Sequence, residues 1–209
     1  MKKDEALTES KMVQLLEWSY ETAINWLPGM ESAEELAKQY LKKYDSTEDA
    51  IDNFISWQCA KCGTSGFVTG LGGLLTLPIA IPANIASVLL IQIRMIASIA
   101  YMRGYNIKDD EVKTLVYISL TGQSAADLLK QIWINIGSKM TNQLIKKVPF
   151  QVIKQINQRV GFRLITKSGQ TGVINLTKWI PLVGGVIGGT VDTVGTYTTP
   201  KNAKEVFIK

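Results

Sequence analysis

The chain of 209 residues carries 23 Lys and Arg against 18 Asp and Glu, a formal charge of +5, with two cysteines and no histidine. That length buries an adequate core without disulfides or a structural metal. The missing imidazole removes the commonest general base and the commonest metal ligand, and with them most familiar hydrolase and metalloenzyme designs.

Charge is spread unevenly: residues 1–52 hold twelve acids against six bases, whereas residues 128–191 hold nine bases and no acid. The opening MKKDEALTESKM mixes charges and has no apolar run of the kind a secretory signal needs, so a cytoplasmic location is expected. Met12, Leu15, Leu16, Ser19, Ile24 and Leu27 follow an approximate helical period that breaks at Pro28-Gly29. Ser32 with Glu35 reads as a capping box opening a helix to about Tyr44, and Ser46 with Asp49 offers a similar start for a helix over 50–62. At its end Cys59 and Cys62 form a C-x-x-C. Zinc asks for about four ligands and a thioredoxin-like site asks for a preceding strand, so two packed thiols are expected instead.

Between Lys61 and Arg94 lie 32 consecutive residues without a charge. Pro78 and Pro82 forbid one continuous helix and divide the tract into a glycine-rich piece near 65–77 and a longer helix over 83–103 closed by Gly104. The first piece reaches about 20 Å against roughly 30 Å of hydrocarbon, too short to span alone. The second carries Asn84, Gln92, Arg94 and Arg103, and a mid-helix arginine in lipid costs at least about 2.5–3.5 kcal/mol. The tract is therefore expected to fold inward as an apolar helical hairpin at the centre of the protein. GTSGFVTGLGG resembles a phosphate cradle only superficially, since it lacks a Gly-Lys-Ser/Thr ending and a feeding strand. Gly66 and Gly70, Gly184 and Gly188, and Gly185 and Gly189 are each four apart, placing small residues in stripes where helices pack closely.

Asp109 is positioned to cap a helix to about Leu120, with Asp110 and Glu111 on its positive end, and a further helix is expected over 124–136. Pro149 opens a helix containing Val152, Ile153, Ile156, Val160 and Leu164, on whose other side Arg159, Arg163 and Lys167 repeat every four residues. The closing WIPLVGGVIGGTVDTVGTY has one charge, Asp192. No stretch alternates with period two and no long period repeats, so residues 1–209 are expected to form a single all-α, multi-helix domain. Arg94 and Asp192, the lone charges of the two most apolar segments, are expected to meet as a buried ion pair. The alternative lays the Arg94 stem along apolar surface at the rim.

The blocks SGFVTGLGGLLTLPIAIPANIASVLLIQIRMIASIAYMRGYNIKDDEVKTLVYISLTG and WIPLVGGVIGGTVDTVGT, with the opening LLEWSYETAINWLPG, resemble the bacterial EcsC family over nearly the whole chain. That family takes its name from a protein encoded beside an ABC-type exporter. The resemblance implies a fold and a membrane neighbourhood, and it names no reaction and no cofactor.

The basic stretch 139–167 is the strongest sign of a partner. Lys146, Lys147, Lys154, Arg159, Arg163 and Lys167 would each gain roughly 1 kcal/mol beside an anionic leaflet, and an acidic protein would serve as well. Phe150 and Phe162 are too few for a stacking platform, and no helix-turn-helix signature occurs, which argues against nucleic acid. A solvated face, or neutralisation by the acidic N-terminal third, are the plain alternatives. The expected function is thus a non-enzymatic helical protein at or beside the cytoplasmic membrane face. Two other readings stand beside it. One is an integral protein with a re-entrant hairpin; the other is an enzyme or binder of a lipid or other apolar ligand in a cavity near Asn84, Gln92 and Arg94.

Overall fold

The computed structural model describes residues 8–25, 31–62, 83–120 and 194–207, together with most positions of 151–161. Helices account for its regular structure, and no strand occurs among the described residues. In chain order these are α1 (Glu9–Ile24), α2 (Ala33–Lys43), α3 (Thr47–Cys62), α4 (Ala83–Met102), α5 (Asp110–Leu120), a helical stretch over 151–161, and α6 (Val194–Val206). The all-α expectation holds.

The first three helices begin where short polar side chains can satisfy free backbone N–H groups. Thr8 Oγ1 accepts from Lys11 N at 3.3 Å at the head of α1. At α2, Ser32 Oγ accepts from Glu35 N at 3.2 Å while Ser32 N donates to Glu35 Oε2 at 2.9 Å, the reciprocal pair of a capping box. Ser46 Oγ accepts from Asp49 N at 3.0 Å before α3. The end of α1 comes sooner than the apolar spacing suggests: Asn25 turns extended, and its Nδ2 donates to Glu21 O at 2.8 Å. An amide side chain that takes a last-turn carbonyl competes with continued helix, and α1 ends at Ile24.

Helix α4 is the axis, in contact with α1, α2, α3, α5 and α6. From Leu89 to Ala100 every residue but Gln92 is buried. Its neighbours offer ladders at helical spacing: Met12, Leu15, Leu16, Tyr20 and Ala23 from α1, then Ala50, Ile51 and Phe54 from α3. Helix α5 is buried almost all round, as its run of Val112 and Leu115 to Leu120 requires. Within the neutral tract Ala86, Ser87, Leu89, Leu90, Ile91 and Ile93 face inward, and residues 63–82 lie outside the described residues. Among the described residues no helix is long and apolar enough to cross a membrane.

Gly104 ends α4 at φ +83°, with Gly104 N donating to Tyr101 O at 2.9 Å and Tyr105 N to Ala100 O at 3.0 Å. This is the Schellman arrangement, which the left-handed glycine makes possible. Tyr105, delivered by that turn, packs edge-on to Phe207 at 5.1 Å and so docks α6. The α6 helix continues through Pro200, although a proline inside a helix removes a backbone donor and crowds the preceding turn. Buried Ala203, Val206 and Phe207 and the contacts of Lys204 with Glu48 and Asp52 hold it in place.

Two substitutions report on this frame. Ser32→Ala should lower unfolding free energy by about 1 kcal/mol through the lost cap. A β-carbon at Gly104 would meet nothing within 4 Å, so Gly104→Ala should cost about 1 kcal/mol from backbone conformation alone. Urea titration should show lower midpoints with unchanged slopes for both.

Candidate functional site

Two polar features interrupt the core. The first is a seam on α4 at Arg94, Ser98 and Tyr101, spaced i, i+4 and i+7 and so on one helix face. Arg94 is 6% exposed, and one guanidinium nitrogen donates to Glu31 O at 3.0 Å. The Ser98 hydroxyl lies 2.9 Å from both Ala33 O and Arg94 O. Tyr101 OH reaches Glu34 Oε1 at 3.4 Å. Together they receive the N-terminus of α2, so the buried cation is an architectural clasp between α2 and α4. Asp192, its expected ionic partner, lies outside the described residues. Arg94 is enclosed and not laid on a rim.

Between α1 and α5 two buried tyrosines meet edge-on at 5.8 Å. Tyr20 OH donates to Ile107 O at 2.7 Å, whereas Tyr117 OH is buried with no hydrogen-bond partner among the described residues. Burial above all pushes both phenols far above their ordinary value, with Glu21 and Asp110 adding to it. Burial likewise pushes the Cys59 thiol up to about 11. A thiol raised in this way carries little thiolate at neutral pH, which agrees with a packed thiol at Cys59.

The second feature is a cleft of about 730 Å³ on the outer side of α1. One wall is Ser10, Val13, Gln14 and Glu17 of α1; the other is Ile153, Lys154, Asn157 and Gln158. Asp110 and Lys113, paired at 3.1 Å, lie at its margin. Each wall is the flank of a helix whose adjoining face enters the core: Met12, Leu15 and Leu16 on α1, and Ile153, Ile156 and Val160 on the other. Carboxylates and ammonium groups are present in equal number, with amides between them.

Of the six cations expected to touch an anionic surface, Lys154 is described, and it is exposed beside this cleft. Lys146, Lys147, Arg159, Arg163 and Lys167 lie outside the described residues, as do the packing glycines Gly66, Gly70, Gly184, Gly185, Gly188 and Gly189 and the helix expected over 124–136. The described cleft is not lined by Asn84, Gln92 or Arg94. The sequence pattern alone does not single out Glu17 or Asn157. Asp110 was assigned to the head of α5, which is also where it stands. The signal for the cleft was a second polar stripe, Ser10, Gln14 and Glu17, running beside the core stripe of α1.

The model of the EcsC protein family matches residues 2–209. The chain belongs to that family. No similar curated protein and no similar solved structure was found.

The tyrosine pair yields an asymmetric expectation. Tyr20→Phe should cost about 1 kcal/mol by orphaning the Ile107 carbonyl, whereas Tyr117→Phe should be neutral or stabilising, since it removes a buried hydroxyl without a partner. Stability should also fall as pH rises from 9 toward 11. In that window the unfolded chain releases the Cys59 proton while the folded chain retains it, so the unfolded state binds fewer protons. The two phenols extend the decline to higher pH. Denaturation midpoints across the alkaline range measure it, and Cys59→Ala should flatten the first part.

Proposed function

We propose that this EcsC family member is a non-catalytic helical protein that works against the cytoplasmic face of a membrane and is held there by charge. The observation that carries this reading is how the stretch over 151–161 divides its faces. Ile153, Ile156 and Val160 are given to the protein core while Lys154 is exposed. An amphipathic helix whose apolar side is already occupied cannot lay that side into lipid, so it meets a membrane electrostatically. The nine bases without an acid over 128–191 supply the attraction, and the acid surplus of residues 1–52 orients the molecule by repulsion from the same leaflet. Enclosure of α4 by five helices agrees with a body that rests on the bilayer and does not cross it. A working place beside membrane transport machinery follows from the exporter neighbourhood that gives the family its name.

Sedimentation with phosphatidylglycerol vesicles at low salt should bring the protein down, and phosphatidylcholine vesicles should not. Raising salt to about 0.5 M should release it, because the screening length shrinks to a few Å. Reversing Lys146, Lys147, Arg159, Arg163 and Lys167 to Glu should abolish recovery with the protein still folded by circular dichroism. Recovery that ignores lipid charge, or none at low salt, contradicts the proposal.

A further inference from the structure

We infer that the cleft between α1 and the stretch over 151–161 binds a small zwitterion bearing amide groups, of the class of a short peptide with free ends. Its volume of about 730 Å³ falls inside the range of small-molecule sites. The lining chemistry narrows the class. Asp110 and Lys113 neutralise each other at 3.1 Å. That leaves Glu17 on one wall and Lys154 on the other, both exposed and without an ion-pair partner among the described residues. Opposite charges on facing walls select a molecule with an ammonium and a carboxylate.

Between them stand three carboxamides, Gln14, Asn157 and Gln158. A carboxamide donates and accepts at once, which complements a peptide unit with its own N–H and C=O. Asn157 is half-buried on the same wall, its Oδ1 covered and without a hydrogen-bond partner among the described residues; the unmet acceptor is a cost that turning this amide toward a bound N–H would relieve. Val13, Ile153 and the aliphatic stems of the longer side chains give the walls apolar surface as well, against which small aliphatic side chains can pack.

Trialanine is the probe, titrated by calorimetry into the full chain, with N-acetyl-trialanine amide as the uncharged control. The free-ended peptide should bind saturably and the capped one should not. Glu17→Gln and Lys154→Gln should each weaken binding about tenfold, the loss of one charge-assisted hydrogen bond. Both residues are exposed, so the variants should keep the parent's circular dichroism and thermal midpoint. No saturable binding of trialanine up to about 10 mM, a range that covers dissociation constants of about 1 mM and tighter, overturns the inference. Equal binding of the capped peptide, or of trialanine by both variants, does the same. Lys154 is intact in the charge-reversed protein used with vesicles, so failure of one proposal is distinguishable from failure of the other.

Discussion

The hydrogen bond from the Arg94 guanidinium to the Glu31 carbonyl resolves a conflict built into the sequence. Helix α4 is apolar enough to demand enclosure, yet it carries a permanent cation near its middle, and an arginine left without acceptors in such a place would cost several kcal/mol. Bringing the start of α2 across α4 supplies backbone oxygens to Arg94 and Ser98 together. Once α2 is seated, its Leu36 and Ala37 cover one side of α4, and α1, α3, α5 and α6 close around the remainder. The cation thus fixes register as well as satisfying itself, because a one-turn slip of α2 would move the carbonyls away from the seam.

Features set by a few neighbouring residues were readable beforehand. The capping box at Ser32, the cap at Ser46 and the left-handed Gly104 each depend on local geometry that short side chains, or their lack, dictate. Features set by distant packing were not. Nothing near Pro200 in the chain announces that α6 passes through it; burial of Ala203, Val206 and Phe207 beside Tyr105 outweighs the local penalty. Asn25 escaped notice for the opposite reason, a single side-chain amide overriding an apolar period.

The basic stretch shows where pattern reading needs geometry. Along the described positions Ile153, Ile156 and Val160 form one buried ladder, and Arg159, Arg163 and Lys167 lie outside the described residues. The side facing away from that ladder is Gln151, Lys154 and Gln158, all exposed. The same geometry explains the cleft, because a polar flank turned aside from the core leaves amides and charges lining a recess against α1. One helix thereby gives its apolar face to stability and one flank to a recess.

The central claim is that α4 is enclosed by protein and needs no lipid. Native-state hydrogen exchange read by mass spectrometry, in aqueous buffer without detergent, tests it most directly. The structure predicts that amides of 89–100 exchange more slowly than those of any other described helix, opening only with global unfolding. Rapid exchange of that segment in buffer, with protection gained only when micelles or bilayers are added, would contradict it.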